Sequence, residues 1–291
     1  PNTLTKDYLA MYEQRITRTH RTAIILVVDC STSMQEITTI NNLVMSKSEA
    51  IAFACNYLID ELMALATRYD GLRDYYDIAI IGYSGDGIES LLPAEGFHSI
   101  AHLATIAPEM RNYTFICKDA LDEDCSTTYS IRPWIDDKAT GATPMFEALT
   151  VVADLVERWC NEPANRQSFP PMVFNISDGE PTDATIDEMI SIAERIKSTS
   201  TKDGNTLLFN IHLGANTVQR PVTFPREYNY TSECPHQNML FRMSSILPKS
   251  LESAIEEQRA EQGPYRCVAF NASFGELMSI LNIGSESVKR N

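Results

Sequence analysis

Four apolar runs of strand length, separated by stretches of helical periodicity, constrain the fold of this 291-residue chain more than any other feature. The first, Thr22-Ala-Ile-Ile-Leu-Val-Val28, ends at Asp29. The others are Asp77-Ile-Ala-Ile-Ile-Gly-Tyr83, Met172-Val-Phe-Asn-Ile-Ser177 and Thr206-Leu-Leu-Phe-Asn-Ile-His-Leu213. Strands alternating with helices predict an α/β fold, with a mostly parallel central sheet and helices on both faces.

The intervening segments support this. Residues 47–69 read as a long helix, apolar round most of its circumference and so substantially buried. After Thr143-Pro144, the residues Met145, Leu149, Val152, Val156 and Trp159 repeat in steps of four and three, giving one apolar stripe. Pro suits the first helical position, and Thr just before it is a good N-cap. Ile186, Met189, Ile190, Ala193 and Ile196 mark another helix. Ser84-Gly-Asp-Gly87 is turn chemistry leading to a short strand over 88–92, which predicts an antiparallel hairpin at one sheet edge. Helices over 239–247, 250–259 and 274–281 and a short strand over 267–270 complete the pattern. Periodicity fades over 93–137, apart from a short helix near 99–105, and again over 216–236. These read as insertions in one domain spanning 21–284, with an N-terminal extension, 1–20, and a tail, 285–291. There is no internal repeat.

The formal net charge of −15, with no Lys/Arg cluster, argues against nucleic acid and against anionic membranes as partners. The apolar stretch 50–66 is broken by Asn56, Asp60 and Glu61, so no membrane span is expected there. Seven scattered cysteines with no C-x-x-C pair suggest reduced, buried thiols rather than a disulfide framework or a zinc site. The polar start at Pro1 does not resemble a signal peptide, and the expectation is a cytoplasmic protein.

Asp29-Cys-Ser31-Thr-Ser33 follows the first strand, where α/β sheets gather ligands. It puts a carboxylate at the strand tip and hydroxyls at alternate positions of the turn. Two further loops can emerge on the same sheet edge: Thr140-Gly-Ala-Thr143, and Ser177-Asp178-Gly179. Together Asp29, Ser31, Ser33, Thr143 and Asp178 offer two carboxylates and three neutral hydroxyls. These are hard oxygen donors, suited to Mg2+ or Mn2+ rather than to zinc or copper. If the hydroxyls bind directly and the carboxylates act through water, the ion stays under-neutralised and favours an anionic ligand from another molecule.

D-x-S-x-S after the first strand, a G-x-T turn before a helix (Gly141-Ala-Thr143), and S-D-G after a later strand are together similar to the three parts of the metal-ion-dependent adhesion site of von Willebrand factor A (VWA) domains. The resemblance covers roughly residues 21–284. It implies a Rossmann-like VWA fold with one antiparallel edge strand and a divalent ion, Mg2+ or Mn2+, held by Asp29, Ser31, Ser33, Thr143 and Asp178. It further implies a partner protein that supplies an Asp or Glu side chain to the ion. Thr143, rather than Thr140, matches the family's turn into a helix. Many members carry Gly where Thr32 stands. The expected intracellular setting and the stretch Leu240-Phe-Arg-Met-Ser-Ser-Ile-Leu-Pro248 look more like bacterial stress-response or conflict-system members than secreted adhesins.

Two other functions compete. A phosphatase could use Asp29 as nucleophile, but phosphatases of that type use D-x-D, and the second position here is Ser31. There is no G-x-S-x-G around Ser84 and no phosphate-binding G-x-x-x-x-G-K-[ST], so no catalytic residue is expected. A scaffold domain in which the ion merely staples loops is the other. His98 and His102 have a helical metal-ligand spacing but no third ligand, and Cys234-Pro-His236 falls in an irregular loop.

Overall fold

The computed structural model describes residues 11–40, 43–118, 123–214, 221–227, 230, 232–256, 262–272, 276 and 280. In chain order the elements are β1 (Thr22–Asp29), β2 (Ile37–Ile40), β3 (Leu43–Ser46), α1 (Lys47–Ala66), β4 (Thr67–Arg68), β5 (Gly71–Leu72), β6 (Tyr76–Ser84), β7 (Gly87–Ser90), β8 (His98–Ser99) and α2 (Ile100–Thr105). There follow β9 (Arg111–Lys118), β10 (Asp124–Ile131), α3 (Met145–Asn161), β11 (Met172–Ser177), α4 (Ile186–Ser198), β12 (Leu207–Leu213), β13 (Val222–Thr223), α5 (Pro235–Met243), α6 (Lys249–Glu256) and β14 (Val268–Ala272).

The main sheet runs β13-β14-β12-β11-β1-β6-β7, with β8 also on β6. Its five central strands are parallel. The antiparallel edge expected at β7 is present, and β8 and β13 add further antiparallel pairing. The α/β class and the mostly parallel sheet agree with the sequence.

Side chains of β1 alternate between two cores. Ile24, Leu26 and Val28 pack with α1, whose Ile51, Cys55, Leu58 and Leu62 are buried. Ala23, Ile25 and Val27 pack with α3, α4 and α5. Hence all eight residues of β1 are buried, as a strand sandwiched between helix layers must be. Fully burying one Leu or Ile in this way stabilises the fold by about 1.5–3 kcal/mol.

This layering positions the site. The chain leaves β1 for a helix on one face and leaves β11 for a helix on the other, although the two strands are neighbours. The crevice between their carboxyl ends is the topological switch point, where sheets of this kind bind ligands. Asp29 and Ser177 are the last residues of those strands.

Several expectations need correction. Residues 67–69 leave the long helix for the small β4–β5 hairpin. The insertion at 93–137 contains the β9–β10 hairpin, two strands of eight residues each, anchored by Tyr113, Phe115 and Tyr129 around Phe53 of α1. A second unforeseen hairpin, β2–β3, separates the Asp29 turn from α1. Cys125, opposite Cys117 in the β9–β10 ladder, is disulfide-bonded, which corrects the expectation of reduced thiols only. Cys30, Cys55, Cys160, Cys234 and Cys267 are free. His236 lies in α5, not in a loop. Most of the helix expected over 274–281 falls outside the described residues. Among the described residues no helix is long and apolar enough to cross a membrane.

Candidate metal centre

The loops at the switch point are sewn together by their backbones. Thr32 N–H donates to Gly141 O at 3.1 Å, Thr140 N–H to Cys30 O at 2.7 Å, and Gly85 N–H to Thr140 O at 3.0 Å. Thr143 is held from the other side: its N–H donates to Thr182 Oγ1 at 3.1 Å, and its carbonyl accepts from Thr182 N–H at 3.0 Å. The N-cap position of α3 falls on Pro144 with no side-chain cap bond, so Thr143 is not the expected cap and Pro144 is not the first helical residue. The N-terminus of α3 is capped by Asp183, whose carboxylate accepts from Phe146 N–H at 3.1 Å and Glu147 N–H at 2.9 Å.

Inside this frame the five residues singled out from sequence lie together. Asp29 is 1% exposed. Its Oδ1 accepts from Ser31 N–H at 2.8 Å and its Oδ2 from Ser177 Oγ at 2.7 Å. Ser31 Oγ and Ser33 Oγ are 3.1 Å apart. Ser33 Oγ donates to Asp178 Oδ1 at 2.7 Å, joining residues 145 positions apart. A Cβ placed on Gly179 would stand 3.8 Å from Thr143 Oγ1 and 3.9 Å from Ser33 Oγ, so both hydroxyls face the same glycine. Ser31 and Thr143 are buried, whereas Ser33 is exposed and opens the cluster to solvent.

Two further contributors stand out: Ser177, named in the sequence as part of the S-D-G turn but given no role, and Lys47, which was missed. Ser177 fixes the Asp29 carboxylate and itself accepts from Gly179 N–H at 3.0 Å. Lys47 places its Nζ 2.6 Å from Asp178 Oδ2 and 2.7 Å from Glu36 Oε2. A signal for Lys47 was available: it is the first residue of α1, after the Ser46 cap, where the helix dipole disfavours a cation. A lysine there needs a compensating anion.

Burial raises the pKa of Asp29 above the usual carboxylate value; hydrogen bonds from Ser31 and Ser177 oppose this, and the nearby Asp178 charge adds to it. Burial lowers the pKa of His212, which pairs across from Ser177 on β12, while the Asp178 charge pushes it back up.

The donor set has the chemistry for a hard cation. Oxygen ligands and retained waters suit Mg2+ or Mn2+, and two carboxylates supply charge. Among the described residues no three His, Cys, Asp or Glu side chains gather as a metal site; a centre built mainly of hydroxyls is of a different kind. His98 and His102 stack at 5.5 Å, His98 on a strand and His102 on a helix, and His98 Nε2 sits 2.9 Å from Ala94 O. His236 pairs with Glu180 at 2.7 Å.

No protein-family model matches the chain. No curated protein matches it either. Among solved structures it is similar to a von Willebrand factor type A protein from Catenulispora acidiphila, at 13% identity and a TM-score of 0.40, over 70% of this chain and 39% of that one. It is also similar to the vWF domain of the type V pili tip protein Mfa5 from Porphyromonas gingivalis, at 10% identity and a TM-score of 0.33, over 57% of this chain and 42% of that one. A third is an uncharacterized membrane spanning protein from Vibrio fischeri, at 16% identity and a TM-score of 0.28, covering 77% and 85% of the two chains. The chain thus spans less than half the length of the first two. Likenesses at these TM-scores carry no weight for function, which rests on the geometry above.

Proposed function

We propose that this chain is a divalent-ion-dependent protein-binding domain, in which Asp29, Ser31, Ser33, Thr143 and Asp178 hold Mg2+ or Mn2+ for a partner's Asp or Glu side chain. The observation that carries this reading is the meeting of three separate loops in one oxygen cluster, joined by the 2.7 Å Ser33–Asp178 hydrogen bond. When bound, the ion would supply an electrophilic position for an incoming carboxylate. The chain's own residues orient the donors: Ser177 and the Ser31 amide aim Asp29, and Thr182 pins Thr143.

The competing functions are less well supported. Asp29 is a poor candidate nucleophile, because both its oxygens accept hydrogen bonds and it is 1% exposed. An ion that merely staples loops has little to do here. The Asp29 turn is already tied to the Gly141 loop by backbone bonds and to Asp178 by Ser33.

The test is Mn2+ titration followed by water-proton relaxation, in wild type and Asp29→Ala, with and without acetate. The expected result is Mn2+ binding that Asp29→Ala abolishes and acetate alters by displacing bound water. Mn2+ binding that Asp29→Ala leaves intact overturns the reading.

A further inference from the structure

The buried cation Lys47 has no place in the ion-holding role just described, yet it touches one of that role's two carboxylates. Its side chain is 3% exposed, and that of Asp178 is 1% exposed. Its second partner, Glu36, is 54% exposed and stands at the rim. The two residues are tied further by Lys47 N–H donating to Glu36 O at 3.0 Å. The ammonium therefore cannot swing to solvent without leaving two anions and a closed hairpin base. The N-terminus of α1, which begins at Lys47, adds roughly half a positive charge to the same spot.

We propose that Lys47 is a built-in counter-cation that sets how weakly this centre holds a divalent ion, and so makes ion retention depend on the partner's carboxylate. This rests on the ion-holding reading of the five residues. Two buried carboxylates would give the centre a charge of −2, and Lys47, shared with Glu36 at the rim, cancels part of it. Affinity for hard cations is tuned by ligand charge count, so a centre neutralised from within holds its ion loosely. A third carboxylate, arriving on a partner, restores the missing charge. Ion and partner then bind cooperatively, each strengthening the other by the same factor.

The test is Mn2+ affinity, measured by electron paramagnetic resonance, in wild type, Lys47→Met, Lys47→Gln and Glu36→Gln, with thermal melts to establish folding. Removing a buried ammonium that lies 2.6 Å from one of the two carboxylates predicts about tenfold or more tighter binding in both Lys47 variants. Glu36→Gln, which leaves Lys47 less neutralised, moves affinity the other way. Loss of structure would weaken binding in every variant, so opposite signs are diagnostic. Wild-type binding with unchanged or weaker binding in folded Lys47 variants overturns this inference alone. No Mn2+ binding by any of the proteins overturns the ion-holding reading and this inference with it. If neither Lys47 variant folds, acetate decides in the wild type: Mn2+ affinity that saturating acetate raises upholds retention that depends on an added carboxylate, and affinity that acetate leaves unchanged overturns it.

Discussion

Gly85 and Gly141 pack backbone against backbone: a Cβ on Gly85 would lie 2.6 Å from Gly141 Cα, and one on Gly141 would lie 2.5 Å from Gly85 Cα. Gly141 also holds a φ of +68°, which L side chains rarely adopt. This contact sets the loop that carries Thr143 against the end of β6. Gly85→Ala is expected to destabilise the fold by about 1–3 kcal/mol, as overpacking does, and to weaken Mn2+ binding by displacing Thr143. Chemical denaturation and Mn2+ titration of the same sample check both effects.

Asp183 caps α3 from a different loop, accepting from two of its first N–H groups. Asp183→Ala is expected to cost about 1 kcal/mol, the usual loss for a cap, with ion binding unchanged. A fall in melting temperature without a change in Mn2+ affinity would separate this structural acid from the proposed ion-holding ones.

Burial holds the imidazole of His212 below its ordinary pKa of 6.5, against the pull of the Asp178 charge. Its Nδ1 accepts from Asn271 N–H at 3.4 Å, a bond that protonation would break. A depressed folded pKa means that the stability His212 contributes is present above 6.5 and is lost as pH falls through the lower folded value. Thermal melts from about pH 7 to about pH 5 should show a decline that His212→Gln makes shallower.

Ser33 is exposed and donates to Asp178. Ser33→Ala is expected to cost no more than about 1 kcal/mol of stability while clearly weakening Mn2+ binding. Paired melts and titrations distinguish this from general loosening, which would move both together.

Much of the fold was legible because its central strands are continuous apolar runs, and burial on both faces leaves no other use for them. The long helix was legible too, although its end was misplaced where residues 67–72 turn back. The β2–β3 and β9–β10 hairpins were not, since neither has an apolar run longer than three residues; β9–β10 is held by aromatic packing on Phe53. His236 was assigned to a loop because periodicity fades over 216–236, yet Pro235 opens a helix.

By itself the sequence determined the α/β class and which oxygen-bearing residues end the strands, because apolar periodicity and turn chemistry act over a few neighbouring residues. Only the tertiary structure decided what surrounds those oxygens. Ser177 reaches Asp29 across 148 positions, and Lys47 reaches Asp178 across 131. The charge a buried carboxylate feels is fixed by whichever group approaches it in space, and no local pattern in the chain encodes that approach.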